Sequence, residues 1–266
     1  MDLSIIIVNY KSKAKLINCL NSIRFSDLEN IKHEIIIVDN NSGDDLSDFS
    51  SHFPKVKVFI NKVNLGMGGG NNTGIDNTQG EYILILNPDT IIKDQAISIL
   101  FNYLKYNQIV GVVGPKLLYP DGQLQYSCSR FPKFYIPVLR RTFLGDFFPK
   151  TRDNFQMVNV NHNIVSEVDW LMGSCLMFRR KNILADEKIF EPRFDSRYFM
   201  YCEDIDFCRE ILTRGLKVIY NPEAVIVHDH ARESARNAWY VAIFSDKLAR
   251  QHIYSWFKYF IKWLFK

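Results

Sequence analysis

Tyr82-Ile83-Leu84-Ile85-Leu86-Asn87-Pro88-Asp89 is an apolar run that stops on a polar turn carrying one carboxylate. Five consecutive apolar residues fit a strand covered on both faces. Pro88 ends it, because proline lacks the amide that a central ladder needs and pushes Asn87 into extended geometry. Asp89 thereby falls just past the carboxyl end of the strand. Ligands gather at that end of open α/β sheets, so the carboxylate has two readings: a holder of a metal or sugar hydroxyl, or a solvated turn acid.

The pattern repeats outward from this strand. Residues 3–8, 34–38, 56–60 and 110–113 read as further buried strands. Between them, Ser12 heads a helix with Leu16, Ile17, Leu20 and Ile23 on one face, and Asp94 heads another with Ile97, Leu100, Phe101 and Leu104. Alternating β and α units imply an α/β fold, a mostly parallel sheet flanked by helices. The segment Asn64-Leu65-Gly66-Met67-Gly68-Gly69-Gly70-Asn71-Asn72 reads as a glycine-rich turn before a short helix. Its glycines miss the GxGxxG spacing, which removes the main support for a dinucleotide-dependent oxidoreductase. Either it is a flexible loop, or its amides face an anionic or polar ligand.

The strand ends carry the chemistry. Asn9-Tyr10, Asp39-Asn40-Asn41, Asn61 with Asn64, and Asn87 with Asp89 bring amides, carboxylates and a phenol to one sheet edge. Turn preference explains some of these residues but does not require four such clusters. The set suits a nucleobase, a ribose and a diphosphate.

Composition bounds the alternatives. A chain of 266 residues, 47% hydrophobic and 23% charged, predicts one large globular domain. The first apolar run is too short and too acid-flanked for a signal peptide, and no long uncharged stretch follows, so a cytoplasmic protein is expected. Five cysteines without a CxxC pair point away from a disulfide framework or a zinc knuckle. The whole net charge of +4 resides in residues 246–266, and the balanced remainder speaks against nucleic acid as a partner.

The second half is less regular. Residues 117–168 lose periodicity and read as loops and helices rather than a second domain. Trp170 and Gly173 restart a strand-like run, for whose Trp170 plain core is one reading. Glu203 and Asp204 open a helix ending at Gly215; they point about 100° apart, so they do not share one job. Asp206 and Arg209 are expected to pair on its surface. His228, after the apolar residues 224–227, is either a metal ligand or a buried, capping histidine. In the tail, Gln251, Ser255, Lys258, Lys262 and Lys266 form one narrow polar stripe on an otherwise apolar, aromatic helix. That is the pattern of an interfacial amphipathic helix on a membrane, with packing against the body or a homodimer as the alternative.

Val8-Asn9-Tyr10, Val38-Asp39-Asn40-Asn41-Ser42, Asn64-Leu65-Gly66 with Asn71-Asn72-Gly74, Leu86-Asn87-Pro88-Asp89, Asp169-Trp170-Leu171-Met172-Gly173-Ser174-Cys175, Glu203-Asp204-Ile205-Asp206 and His228 occur in that order. Together they resemble the family 2 glycosyltransferases of the GT-A fold, and within them the rhamnosyltransferase-like branch that builds bacterial surface polysaccharides. The resemblance covers residues 3–230. It implies a Rossmann-like GT-A domain over 1–235, with a nucleotide-sugar-binding half (1–115) and an acceptor and catalytic half (116–235), followed by an amphipathic helical tail (236–266).

The resemblance further implies inverting transfer from a nucleotide-diphosphate sugar to a hydroxyl of a lipid-linked saccharide, at the inner face of the cell membrane. The branch suggests dTDP-rhamnose as donor, with a UDP-hexose as the alternative. A non-catalytic nucleotide-sugar-binding subunit is the competing class. Donor contacts are expected from Asn9, Tyr10, Asp39, Asn41, Asn64, Gly66, Asn71, Asn87 and Asp89, and acceptor contacts from Trp170 and Gly173. Asp204 is the implied base, with Glu203 as an acceptor or structural contact. Asp89 and His228 are the implied ligands of a divalent cation, Mn2+ or Mg2+. The common metal motif has acids at both ends; here Asn87 replaces the first, a form that the branch often shows.

Overall fold

In the computed structural model, β1 (Leu3–Asn9), β2 (His33–Asp39), β3 (Val56–Ile60) and β4 (Tyr82–Leu86) run parallel in the order β3-β2-β1-β4. The structure describes residues 1–26, 28, 30–141, 144–229 and 247–264. The sheet continues from β4 through β5 (Thr90–Ile92), β6 (Val110–Leu118), β7 (Cys175–Arg179) and β8 (Lys217–His228), in the spatial order β7-β6-β8-β5. β7 enters antiparallel between β4 and β6, and β8 lies parallel to β6 but antiparallel to β5. The expected mostly parallel sheet therefore has a reversed strand at its centre, inserted from the second half of the chain.

Both faces are covered, which is why the strands read as unbroken apolar runs. Leu3, Ile5 and Ile7 pack against α1 (Lys13–Arg24) and α3 (Ala96–Tyr106). Ile6 and Val8, on the opposite face, belong with Ile75 of α2 (Gly66–Asp76) and Phe207 and Ile211 of α4 (Glu203–Thr213). Each such side chain contributes about 1.5–3 kcal/mol through burial.

Several local expectations are corrected. The glycine-rich segment is no loop: Gly66 is the first residue of α2, and the other glycines lie within it. Glycine costs about 1 kcal/mol relative to alanine inside a helix, but here it permits close approach. A Cβ on Gly70 would sit 2.8 Å from Val8, and one on Gly66, where φ is +76°, would strike the Phe199 carbonyl. Ser12 does occupy the N-cap of α1, yet its hydroxyl donates to the Tyr10 carbonyl instead of capping. Asp94 has φ +41° and precedes the true N-cap of α3, Gln95. Gly215, at φ +77°, does follow the end of α4 as a left-handed terminator.

The tail is inverted relative to expectation. In α5 (Lys247–Leu264), the polar stripe faces the protein: Ser255 and Lys262 are buried, while Phe257, Ile261 and Leu264 are exposed. Two contacts hold that side inward: Tyr259, Trp256, Phe260 and Trp263 pack with Tyr198, Cys202 and Ile205, and an ion-pair cluster anchors the stripe. Lys262 reaches three carboxylates of the body, including Asp206, which is itself buried. Asp206 therefore does not pair with Arg209; Arg209 donates to the Tyr259 hydroxyl and lies over the Trp263 ring. The proposed boundary at 235/236, Asp246 and Lys266 fall outside the described residues. No described helix is long and apolar enough to cross a membrane.

Candidate active site

The carboxyl ends of β1 and β2 meet in a dense polar cluster. Asn9 Nδ2 donates to Asp39 Oδ1 at 2.8 Å and to Asp44 Oδ2 at 2.9 Å, and the Ser42 amide donates to Asp39 Oδ2 at 3.1 Å. Asn9 and Asp39 are buried, whereas Tyr10 and Asn41 are exposed, Asn41 in the left-handed region at φ +58°. Next to them, Asn40 fastens β2 to the loop before α2. Its Nδ2 donates to Asn64 Oδ1 (2.8 Å) and to the Gly66 carbonyl (2.9 Å), while its Oδ1 accepts from Asn61 Nδ2 and the Leu65 amide, each at 3.0 Å. All four hydrogen-bonding positions of this buried amide are used, so Asn40 holds the Asn64–Gly66 turn in place. Asn71 is buried in α2, and its neighbour Asn72 clamps the Phe194 backbone in both directions.

Asp89 and His228 come together at the far end of the same edge. The β5–β8 ladder sets His228 opposite Thr90, and the Asp229 amide donates to the Asp89 carbonyl at 2.9 Å. His228 Nε2 lies 3.3 Å from Asp89 Oδ1, and its Nδ1 lies 2.7 Å from Gln125 Oε1. An amide oxygen only accepts, so Nδ1 donates to Gln125 and Nε2 is the ring nitrogen that faces the carboxylate. Asp89 Oδ1 is buried and makes no hydrogen bond among the described residues. Burial alone would raise the Asp89 carboxyl; the facing imidazole and Lys15 hold it below its usual value. A carboxylate oxygen and an imidazole nitrogen this close are side chains that could hold a divalent cation, and an oxygen–imidazole pair suits Mn2+ or Mg2+. Protein ligands beyond these two are scarce, for no cluster of three acidic, His or Cys side chains exists among the described residues.

A single peptide segment ties this edge to the carboxylates of α4. The Asn87 amide donates to the Ser174 carbonyl at 2.9 Å, and the adjacent Gly173 amide donates to Asp204 Oδ2 at 3.0 Å. Trp170, half-buried, donates its indole N–H to the Arg130 carbonyl and packs near Phe155. Tyr201 and Cys202, immediately before α4, both take left-handed backbone angles, +68° and +67° in φ. Consecutive non-glycine residues there store strain that surrounding contacts must hold. α5 supplies those contacts: Ser255 donates to the Met200 carbonyl and Lys258 to that of Arg197, both at 2.7 Å, and His252 stacks on Tyr201. Burial pushes the Glu203 and Asp204 carboxyls up, and the charge of Asp204 pushes Glu203 further. Amides of Gly173 and Ile205 hold Asp204 down in part. Asp204 thus ionises first, and Glu203, whose Oε2 is buried without a partner, keeps its proton longer.

A sequence model described as glycosyl transferase family 2 matches residues 4–183. The chain belongs to glycosyl transferase family 2. Among relatives of this family 2 glycosyltransferase, the low-salt glycan biosynthesis hexosyltransferase Agl10 of Haloferax volcanii is 31% identical over 78% of the chain and 60% of its own length. The rhamnosyltransferase WbbL of Escherichia coli is 28% identical, over 85% of the chain and 81% of the relative. The N-acetylglucosaminyl-diphospho-decaprenol L-rhamnosyltransferase of Mycobacterium tuberculosis is 26% identical over 76% and 68%. The fold is shared with GalNAc-T7 bound to UDP, GalNAc and Mn2+, with TM-score 0.63 and 14% identity over 85% of the chain and 43% of that protein. It is shared also with a Pyrobaculum calidifontis mannosyltransferase bound to GDP-Man and Mn2+, at 0.60 and 18% over 96% and 64%. These neighbours are GT-A glycosyltransferases, and the family 2 chain has their architecture.

Sequence reasoning gave Asn40 and Asn72 no role of their own, and did not single out Asp44 or Gln125. Asn40 and Asn72 stood inside quoted motifs, but nothing in their spacing separates an amide that faces a ligand from one that braces a loop. Gln125 carries no local signal at all.

Proposed function

We propose that the protein is an inverting glycosyltransferase that moves a hexose, rhamnose from dTDP-rhamnose in the first instance, to a hydroxyl of a lipid-linked saccharide at the inner face of the membrane. The observation that carries this reading is the Gly173–Ser174 segment, which bonds at once to Asn87 on the diphosphate side and to Asp204 on the acceptor side. The rhamnosyltransferase names of two relatives favour rhamnose; Agl10, a hexosyltransferase, keeps a UDP-hexose as the second reading.

In this reading residues 1–115 hold the donor and 116–235 the acceptor. Asn9, Asp39 and the Asn64–Gly66 turn shape the nucleoside end, and Tyr10, Asn41 and Asn71 complete it. Asp89 and His228 hold the divalent cation, which when bound neutralises charge on the diphosphate. Asp204 accepts the proton of the attacking hydroxyl as the new C–O bond forms at the anomeric carbon. The old C–O bond breaks, and its electron pair leaves with the diphosphate. Glu203 and Trp170 border the acceptor, and Gly173 fixes the orientation of Asp204. Such a base contributes about 10²–10⁴-fold.

The test is product formation from dTDP-rhamnose and from UDP-hexoses, with lipid-linked saccharide acceptors, with and without Mn2+. Transfer from dTDP-rhamnose supports the first reading, and transfer from UDP-hexoses alone supports the second. A protein that binds these donors but neither transfers nor hydrolyses them is a binding subunit.

A further inference from the structure

The outer face of α5 presents Lys247, Arg250, Tyr254, Phe257, Ile261 and Leu264 at steps of three and four, one continuous line along the helix, and all six are exposed. The four apolar members are 56–73% exposed. Inversion of the helix created this line, because the polar side chains that normally face water are bonded to the body. The apolar part spans about 15 Å at 1.5 Å per residue, and cations occupy one end of it. α5 contains no acidic residue.

We propose that this face is a docking surface for a lipid bilayer with anionic headgroups. Tyr254, Phe257, Ile261 and Leu264 enter the acyl boundary while Lys247 and Arg250 remain among the phosphates. Charge selects the bilayer over a second copy of the chain. A parallel self-pair would set cations on cations, and an antiparallel one would set them on Ile261 and Leu264, with no acid of the stripe to compensate either. Phe131 packs against the α5 cluster, and Phe134, close beside it in the chain, is exposed as well. The inference rests on the helix alone and goes beyond the proposed transfer, so the two fail separately.

The experiment is co-sedimentation of the full chain, without donor or acceptor, with vesicles of phosphatidylcholine alone or mixed with phosphatidylglycerol. Binding to the anionic vesicles is expected. It should fall at least tenfold in the variant Phe257→Ser/Ile261→Ser/Leu264→Ser and at least threefold in Lys247→Gln/Arg250→Gln. Thermal melting of both variants should match the parent, because these side chains are exposed, and a matched melt rules out misfolding as the cause. A full chain that ignores anionic vesicles, or an apolar variant that binds them undiminished, overturns the proposal. So does a dimer, seen by sedimentation equilibrium, that the apolar variant dissolves while vesicles go unbound.

Discussion

Lys262 Nζ lies 2.6 Å from Asp206 Oδ2, and the same ammonium is 2.9 Å from Asp195 Oδ2 and 3.0 Å from Glu210 Oε1. One cation of α5 thus serves three carboxylates, two of them on the helix that begins with Glu203 and Asp204. Trp263 adds its indole N–H to Asp206 Oδ1 at 2.8 Å. Lys262→Met should destabilise the protein by about 3–5 kcal/mol in urea unfolding, since it leaves the buried Asp206 without its cation. Adding Asp206→Asn should recover part of the loss; a single variant as stable as the parent would remove the locking role.

The same cluster predicts a pH dependence. Burial alone would raise Asp195, but hydrogen bonds from Arg197 and Lys262 outweigh it and hold the carboxyl at about 2. A depressed carboxyl contributes stability above its ordinary value near 3.8 and loses it as pH falls towards 2. Asp206 is raised by burial and runs the opposite way, its gain on acidification being complete by its ordinary value near 3.8, before the Asp195 loss sets in. Melting temperature should therefore decline between roughly pH 4 and 2, and Asp195→Asn should flatten the decline.

Removing residues 247–266 should impair catalysis rather than leave a soluble active core. Ser255, Lys258 and His252 brace the strained turn before Glu203, and Lys262 braces the helix behind it. The truncated chain is expected to lose about a hundredfold or more in kcat, because misplacing catalytic groups by about 1 Å can cost that much. Full activity in the truncated chain would contradict this, and circular dichroism would show whether the sheet survives.

Asp89→Ala should lower transfer by about a hundredfold or more, because in the proposed reading its carboxylate is the charged ligand of the cation that serves the diphosphate. His228→Ala should raise the Mn2+ concentration needed for half-maximal rate with a smaller loss at saturation. Unaltered metal dependence in both variants would refute the assignment, and Mn2+ binding by calorimetry gives a second readout.

Asp204→Asn should leave donor binding intact and reduce turnover by about two to four powers of ten. Because burial raises both carboxyls, the acid limb of kcat should lie above the ordinary carboxylate range. Below it the base is protonated and activity disappears. Glu203→Gln mimics the protonated side chain and should retain most activity at neutral pH. A dead Glu203→Gln beside an active Asp204→Asn would exchange the two roles.

Much of the fold was legible because its strands are local. The run 82–86 ends where Pro88 requires it to end, and β1 and β3 likewise begin or stop at polar residues. The donor-edge residues were legible as a set, since the ends of the first four strands carried amides or acids. Their division of labour was not. Asn40 and Asn41 look alike in the chain, yet one makes four internal bonds and the other is exposed. The glycine segment misled for a related reason: low helix propensity argues for a loop until packing against Val8 and the Phe199 carbonyl makes the absent Cβ an advantage.

By itself the sequence determined the periodicities: which runs are strands, which helices are two-faced, where Asp89 and Asp204 fall relative to their elements, and the family resemblance those motifs carry. The tertiary structure decided which face of each element turns inward and which distant groups meet. Hydrophobic periodicity says that α5 has two faces, but burial of the lysine face depended on carboxylates at 195, 206 and 210 that only folding brings beside it. His228 meets Asp89 for the same reason, through an antiparallel ladder between strands far apart in the chain. Local pattern follows from short-range backbone geometry; charge pairing acts through space, and space is assigned only once the sheet has formed.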